Sequence, residues 1–278
     1  MSVFLQGVEG SEFKEVPLVT ATSQNSMHVA PGYQPIFREV GLDAEGVFTH
    51  PDIKPWRTLN DRENCTLDVV RGDGSKIRFH IKRFPASASG GPADLEVNGL
   101  RVLQLEDIPT APLVGWGKLA DRRSFVITQD LAGYEAADKL IESGVSFDRL
   151  LEPSADLAAR LHGAGLHHRD LYLCHFFTRV TDDRVDLRLI DATRVARLGL
   201  LARRWIIKDL AQFWYSTFNL PIKQSQRMAW LDRYAVNRKI DAVEKLQRSI
   251  EKKCRWIARH DTELRKKQPH RNVSIPRD

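Results

Sequence analysis

The sequence predicts an α+β protein of two lobes, a small β-rich lobe followed by a larger helical one. Two β-rich runs, NCTLDVV and KIRFHIKRF, flank an Asp73-Gly74 step, the pair that favours a tight hairpin. Beyond Leu131 the apolar residues fall mostly at helical spacing. A polar loop, HHRDLYLCHFF, interrupts that helical half and is followed by an apolar run ending in Asp191. A mixed lobe followed by a helical one implies a cleft between them.

Taken in order, residues 1–50 are rich in Gly, Ser, Thr and Pro without a sustained period, and are expected to be an N-terminal extension. FTHPDIKPWRTL is a candidate strand ahead of the hairpin. After the flexible connection PASASGGP, ADLEVNGLRVLQLED predicts a helix with Leu95, Leu100 and Leu103 on one side and Pro109 past its end. IPTAPLVGWGKL and RRSFVITQDL predict two further strands, so the small lobe spans 51–131 and the helical lobe 132–278. Helices are expected in YEAADKLIESG, from Phe147 to Gly165, in KDLAQFWYSTF, in SQRMAWLDRYAV and from about Asp241 to Lys267, with DLRLIDATRV as a short strand pair.

The chain has 278 residues, 42% hydrophobic and 28% charged, enough for one large domain or two lobes. Its net charge of +6 suits anionic partners, and suits a solvated basic surface equally well. Cys65, Cys174 and Cys254 are widely spaced and form no CxxC pair, so neither a zinc ribbon nor a disulfide framework is supported and a reducing cytoplasm is the natural compartment. The N-terminal MSVFLQGVEGSEFKEV lacks a basic leader and apolar core, and no apolar run reaches the roughly 20 residues of a spanning helix. A soluble or peripheral protein is expected.

The candidate chemistry begins at His168-Arg169-Asp170. In the kinase catalytic loop, H-R-D-x-x-x-x-N, the Asp accepts the acceptor hydroxyl's proton and the Asn helps to hold metal. Here the Asn position holds His175. Asp191, at the end of LRLID, is placed to bind the Mg²⁺ that bridges nucleotide phosphates, although Ala192-Thr193 replace the Phe-Gly of a DFG motif. Lys82, on the third candidate strand, suits the phosphate-pairing lysine, with Glu96 on the following helix as its partner and Glu106 as a second choice. Gln129, Asp130 and Leu131 lie where the chain leaves the small lobe, the position from which backbone groups meet adenine. No GxGxxG precedes Lys82; the corresponding turn is LNDRENC, where Arg57 or Arg62 is a candidate source of positive charge. Asp209, on an apolar helix, needs partners if buried and is expected to support the HRD loop from below. Tyr172 and His175 either face the acceptor or the metal, or pack the loop.

HHRDLYLCHFF resembles the catalytic loop of the Kdo/WaaP lipopolysaccharide kinase family, whose members read close to HRDxYxCHF and carry His where His175 stands. Lys82, Glu96 before an IPT segment, VITQDL, LIDATRV and KDLAQFWYS extend the similarity from about Ile53 to Phe218. The resemblance implies a bilobal protein-kinase-like fold and transfer of the γ-phosphoryl of ATP, with Mg²⁺, to a heptose or Kdo hydroxyl of the lipopolysaccharide inner core or a related glycolipid. By the same resemblance Asp170 is the catalytic base, Asp191 the metal ligand and Lys82 the phosphate clamp. The expected location is the cytoplasm, at the inner face of the inner membrane.

The C-terminal segment, with Lys252, Lys253, Arg255, Arg259, Arg265, Lys266 and Lys267, is a candidate contact with an anionic membrane surface, docked through Leu246, Ile250, Trp256 and Ile257. A solvated helix fits the same pattern. Two other functions share the fold: an atypical Ser/Thr protein kinase, disfavoured by the missing DFG and A-P-E, and a pseudokinase scaffold, disfavoured by the intact Lys82, Asp170 and Asp191. No nucleic-acid-binding motif is present, so no nucleic-acid partner is expected.

Overall fold

The computed structural model describes residues 25–87 and 91–267. Residues 1–24 of the expected extension, 88–90 of the PASASGGP connection and the end of the basic segment from 268 onward lie outside the described residues.

The small lobe is a six-stranded antiparallel sheet. It contains β1 (Ser26–Val29), β2 (Lys54–Thr58), β3 (Glu63–Val70), β4 (Lys76–Phe84), β5 (Leu113–Lys118) and β6 (Ser124–Gln129), in the order β1-β5-β6-β4-β3-β2. The short helices α1 (Gln34–Glu39) and α2 (Gly46–Thr49) follow β1, and α3 (Pro92–Leu105) joins β4 to β5. Side chains alternate between the two faces of a strand. Cys65, Leu67 and Val69 on β3 pair with Ile81, Phe79 and Ile77 on β4, and this face forms a core with Ile36, Phe37 and Val47. Lys82, next to Ile81, therefore points to the opposite face, toward the helical lobe.

Two expectations are corrected here. Residues 26–49 are not outside the lobe: β1 pairs with β5, and Phe37 meets the Phe79 ring edge-on at 5.2 Å. Their elements are four to six residues long, too short to produce a readable period. Leu95 does not share a side with Leu100 and Leu103. It is 57% exposed while they are buried, because at 100° per residue it sits about 80–140° round the helix from them.

The helical lobe begins with β7 (Glu135–Ala136), α4 (Ala137–Glu142) and α5 (Phe147–Gly163). Then come β8 (Leu166–His167), β9 (Phe176–Val180), β10 (Val185–Leu189) and β11 (Ala196–Arg197). It closes with α6 (Ala202–Ser216), α7 (Gln224–Asn237) and α8 (Val243–Lys267). DLRLIDATRV is not the expected strand pair: it holds most of β10 and then a 3-10 turn at Ala192–Arg194, while β11 lies just past it, and β10 pairs with β9 and β11 with β8. The core stacks Phe213 on Trp230 at 4.1 Å, and the Trp230 indole donates to Ser154 Oγ at 2.9 Å. On α8, Ile250, Cys254 and Ile257 are buried, whereas Trp256, expected to dock with them, is 52% exposed. It lies about 100° from Ile257 and about 120° from Ile250 around the helix.

Gly117 is what lets β1 close onto the sheet. A Cβ there would stand 2.1 Å from the Ser26 carbonyl and 2.6 Å from the Phe125 ring. Gly117→Ala should cost about 1–3 kcal/mol by overpacking and lower the melting temperature by several degrees. An unchanged thermal transition would show that β1 contributes little to the lobe.

Candidate active site

Lys82, Glu96 and Asp191 converge from three separate segments. The Lys82 ammonium donates to Glu96 Oε1 at 2.6 Å and to Asp191 Oδ1 at 3.2 Å. Thr193 Oγ1 lies 3.1 Å from both Glu96 Oε2 and Asp191 Oδ1 and donates its single proton to one or the other, so it sits between the carboxylates on the other side. Burial alone would strip the proton from Lys82, but Asp191 and Glu96 outweigh it and hold the pKa above its ordinary value. The Lys82 cation in turn holds the Asp191 carboxyl well below the usual carboxylate range. Glu106, the second choice, pairs instead with Arg197 at 2.9 Å.

The approach of α3 to the Asp191 turn depends on a side chain that is missing. A Cβ on Gly99 would lie 2.0 Å from the Ala192 carbonyl oxygen. One helical turn brings Glu96 from that contact to Lys82. Asp191 itself has φ 61°, a left-handed conformation unusual for a residue other than glycine. Arg169 is in the same region at φ 68°. Such conformations cost roughly 1–3 kcal/mol each and persist where surrounding bonds hold them.

Those bonds come largely from Asp209 on α6. Its buried carboxylate accepts from the His168 and Arg169 amides at 2.7 Å each, and lies 3.3 Å from His162 Nε2. Burial works against its charge, but His162, His168 and the amides prevail and lower its pKa. His168 Nε2 contacts the Ile190 carbonyl at 3.1 Å, joining the HRD loop to the Asp191 turn. Burial pushes the His168 pKa down to about 4, so the ring is a neutral structural link at physiological pH. The Arg169 guanidinium lies over the Trp205 ring at 4.3 Å.

Around Asp170 stand groups that the sequence did not single out. Arg194 Nη1 contacts both Asp170 carboxylate oxygens at 3.2 Å, and Gln212 Nε2 donates to one at 3.4 Å. Lys208 Nζ donates to the Arg169 carbonyl at 2.5 Å. Arg194 follows Asp191 by three residues, and Lys208 and Gln212 flank Asp209 by one residue and three. Their contacts depend on where α6 crosses beneath the loop, which spacing alone does not reveal.

His175 is oriented by one bond. Its Nδ1 lies 2.6 Å from the Asp170 carbonyl, which can only accept, so Nδ1 carries a proton. Nε2 then faces Asp191 Oδ2 at 3.9 Å. Burial disfavours charge on this ring, but Cys174, Asp191 and the Asp170 carbonyl hold its pKa up at about 9. Tyr172 packs its ring edge-on against His175 at 6.3 Å.

At the interlobe crossing the Gln129 side chain accepts from Tyr33, and Asp130 Oδ1 lies 2.7 Å from His80 Nε2. Both side chains are thus occupied by the small lobe, and Leu131 follows as the chain leaves it. In the β2–β3 turn, Arg62 Nη1 contacts Asp61 at 3.0 Å while its buried Nε has no protein partner. Arg62 is close enough for its charge to oppose that of Lys82.

The model of the lipopolysaccharide kinase (Kdo/WaaP) family matches residues 83–234, a span that begins one residue after Lys82 and contains Glu96, Asp170, His175 and Asp191. Lipopolysaccharide core heptose(I) kinase WaaP of Escherichia coli strain K12 is 29% identical over 153 residues, 50% of this chain and 57% of that protein. The Pseudomonas aeruginosa WaaP is 28% identical over 196 residues, 64% of this chain and 72% of that one. The chain therefore spans little more than half the length of the first relative. A solved structure of WaaP in complex with acyl carrier protein superposes with a TM-score of 0.64 at 23% identity, covering 83% of this chain and 98% of that one. This likeness is one of fold.

Gly99→Ala should separate α3 from the Asp191 turn and break the Lys82–Glu96 contact. The expected outcome is at least about a hundredfold loss of catalytic efficiency with the fold retained, read by kinetics beside circular dichroism. Asp209→Asn should cost about 2–4 kcal/mol, since the neutral amide cannot accept both loop amides as a carboxylate does. Because the folded-state pKa of Asp209 is lowered, its stabilisation is present above the unfolded value near 3.9 and is lost as pH falls toward the folded value. The difference in stability between wild type and Asp209→Asn should therefore narrow below about pH 4.

Proposed function

This chain belongs to the lipopolysaccharide kinase (Kdo/WaaP) family, and we propose that it transfers the γ-phosphoryl group of ATP to a heptose or Kdo hydroxyl of the lipopolysaccharide inner core or a related glycolipid. The observation that carries this reading is Lys82 held between Glu96 and Asp191, with Asp170 on the adjoining loop. This arrangement places a fixed cation and two sources of negative charge at one cleft.

Glu96 and Asp191 hold the Lys82 ammonium where nucleotide phosphates would meet it. Arg62, with its buried and unpartnered Nε in the turn above, supports the same phosphates in place of the absent glycine amides. Since the Gln129 and Asp130 side chains are occupied, adenine is expected to meet backbone groups across Gln129–Leu131.

The acceptor oxygen forms a bond to the γ-phosphorus as the bond to the β,γ-bridging oxygen breaks, releasing ADP. Asp170 takes the hydroxyl proton. Arg194 and Lys208 supply positive charge beside it while negative charge spreads over the transferring group.

The residues present fit a divalent cation. With Nδ1 committed to the Asp170 carbonyl, Nε2, which faces an Asp191 oxygen, is the nitrogen that would hold the ion, and it would give up its proton to do so because the ring's raised pKa keeps it charged in the metal-free protein. Asp191 and His175 would hold the ion. No group of three or more His, Cys, Asp or Glu among the described residues could hold a metal, which suits Mg²⁺ taking its other ligands from phosphate and water. Such an ion would offset negative charge on the nucleotide.

No helix among the described residues is long and apolar enough to cross a membrane. We place the enzyme peripherally at the inner face of the inner membrane, where its acceptor is anchored. Acyl carrier protein, bound to WaaP in the structural relative, is a further candidate partner.

With labelled ATP, Mg²⁺ and dephosphorylated lipopolysaccharide core, transfer to glycan is expected. Asp170→Asn should reduce kcat by about 10²–10⁴-fold while ATP still binds. Labelling of a protein substrate in place of glycan would instead support a protein kinase. ATP binding without transfer to either acceptor would contradict the proposed activity.

A further inference from the structure

The segment between the Asp191 turn and α6 has an unusual composition for a surface loop. Residues 194–204, RVARLGLLARR, contain four arginines and no acidic residue. At its tip Leu200 is fully exposed and Leu201 is 56% exposed, side by side at the start of α6. Arg194 is engaged by Asp170 and Arg197 by Glu106. Among the described residues no carboxylate pairs with Arg203 or Arg204, which are both exposed. The result is an apolar tip flanked by uncompensated positive charge.

The loop is fixed beside the catalytic residues. On its near side β11 pairs with β8, directly before His168, and the Leu198 amide donates to the Gly165 carbonyl at 2.7 Å. On its far side Trp205 stacks on His167 at 5.3 Å and lies under the Arg169 guanidinium. Leu200 and Leu201 are therefore held on the side of the molecule where an acceptor must reach Asp170.

We infer that Leu200 and Leu201 insert into an anionic lipid surface, with Arg203 and Arg204 at its phosphates, so that the loop docks the cleft onto the membrane carrying the acceptor. This deepens the glycolipid-kinase reading and rests on it for the identity of the acceptor. Charge complementarity selects the occupant. Adjacent exposed leucines partition into the boundary between headgroups and acyl chains, and arginines without a carboxylate partner meet anionic headgroups there. The basic surface of α8 comes near this segment, with Arg204 close enough to Lys253 for their charges to oppose each other, but the leucine tip is the part that inserts.

The test uses the full chain and sedimentation with vesicles of phosphatidylethanolamine and phosphatidylglycerol, against vesicles of phosphatidylcholine. Wild type should prefer the anionic vesicles by at least about tenfold. Leu200→Ser/Leu201→Ser should weaken that binding by roughly tenfold or more, and Arg203→Gln/Arg204→Gln by about thirtyfold. Arg255→Gln/Arg259→Gln on α8 should remain within about twofold of wild type. Transfer to a soluble, deacylated core acceptor is measured in parallel and should be unchanged in the two loop variants. Its absence in every protein would count against the kinase reading, while vesicle binding separately decides the docking surface. Unchanged vesicle binding by both loop variants, or loss only in the α8 variant, would overturn the inference. So would a wild type that ignores vesicles but binds acyl carrier protein through these same loop residues, which would make the segment an acidic-protein site.

Discussion

The structure depends on one half-buried cation. Lys82 lies on a strand whose opposite face is the core of the small lobe, and it retains its charge because Glu96 and Asp191 meet it from two other segments. A buried ion pair contributes little net stability, yet removing one partner leaves a charge without compensation, at a cost that partial solvent exposure reduces. The triad therefore acts as a constraint: β4, α3 and the Asp191 turn can occupy only positions in which all three groups meet. Thr193 closes the arrangement, and Gly99 makes it sterically possible.

A second buried charge performs the matching task below the cleft. Asp209 gathers the amides of His168 and Arg169 and thereby holds Arg169 in its left-handed conformation. His168 then links that loop to Ile190, next to Asp191. The two centres are thus mechanically joined, and the position of Asp170 relative to Lys82 is set by a chain of short hydrogen bonds. Arg169 stacks on Trp205, so an aromatic ring already holds a cation that would otherwise need an anionic partner.

Much of this was legible in the sequence, for definite reasons. The hairpin at Asp73-Gly74 and strand β4 follow from local turn chemistry and β-rich composition, and the latter coincides with KIRFHIKRF. The long helices of the second lobe carry enough turns to show their period. Lys82, Glu96, Asp170 and Asp191 stand out through their order along the chain. The small-lobe elements between Ser26 and Thr49 were hidden because each is too short to display a period. Arg194, Lys208, Gln212 and Tyr33 were hidden for another reason: their roles arise from contacts across 24 to 96 residues of sequence. Trp256 shows the limit of composition, since an aromatic residue on an amphipathic helix need not face the core.

The most direct test of the central arrangement is a crystal structure with Mg²⁺ and a non-hydrolysable ATP analogue. Lys82 should remain on Glu96 and donate to a nucleotide phosphate oxygen, while Asp191 turns from Lys82 to the metal and Asp170 faces the γ-phosphate. A nucleotide bound elsewhere, or phosphates in this cleft with Lys82 and Asp191 taking no part, would contradict the account.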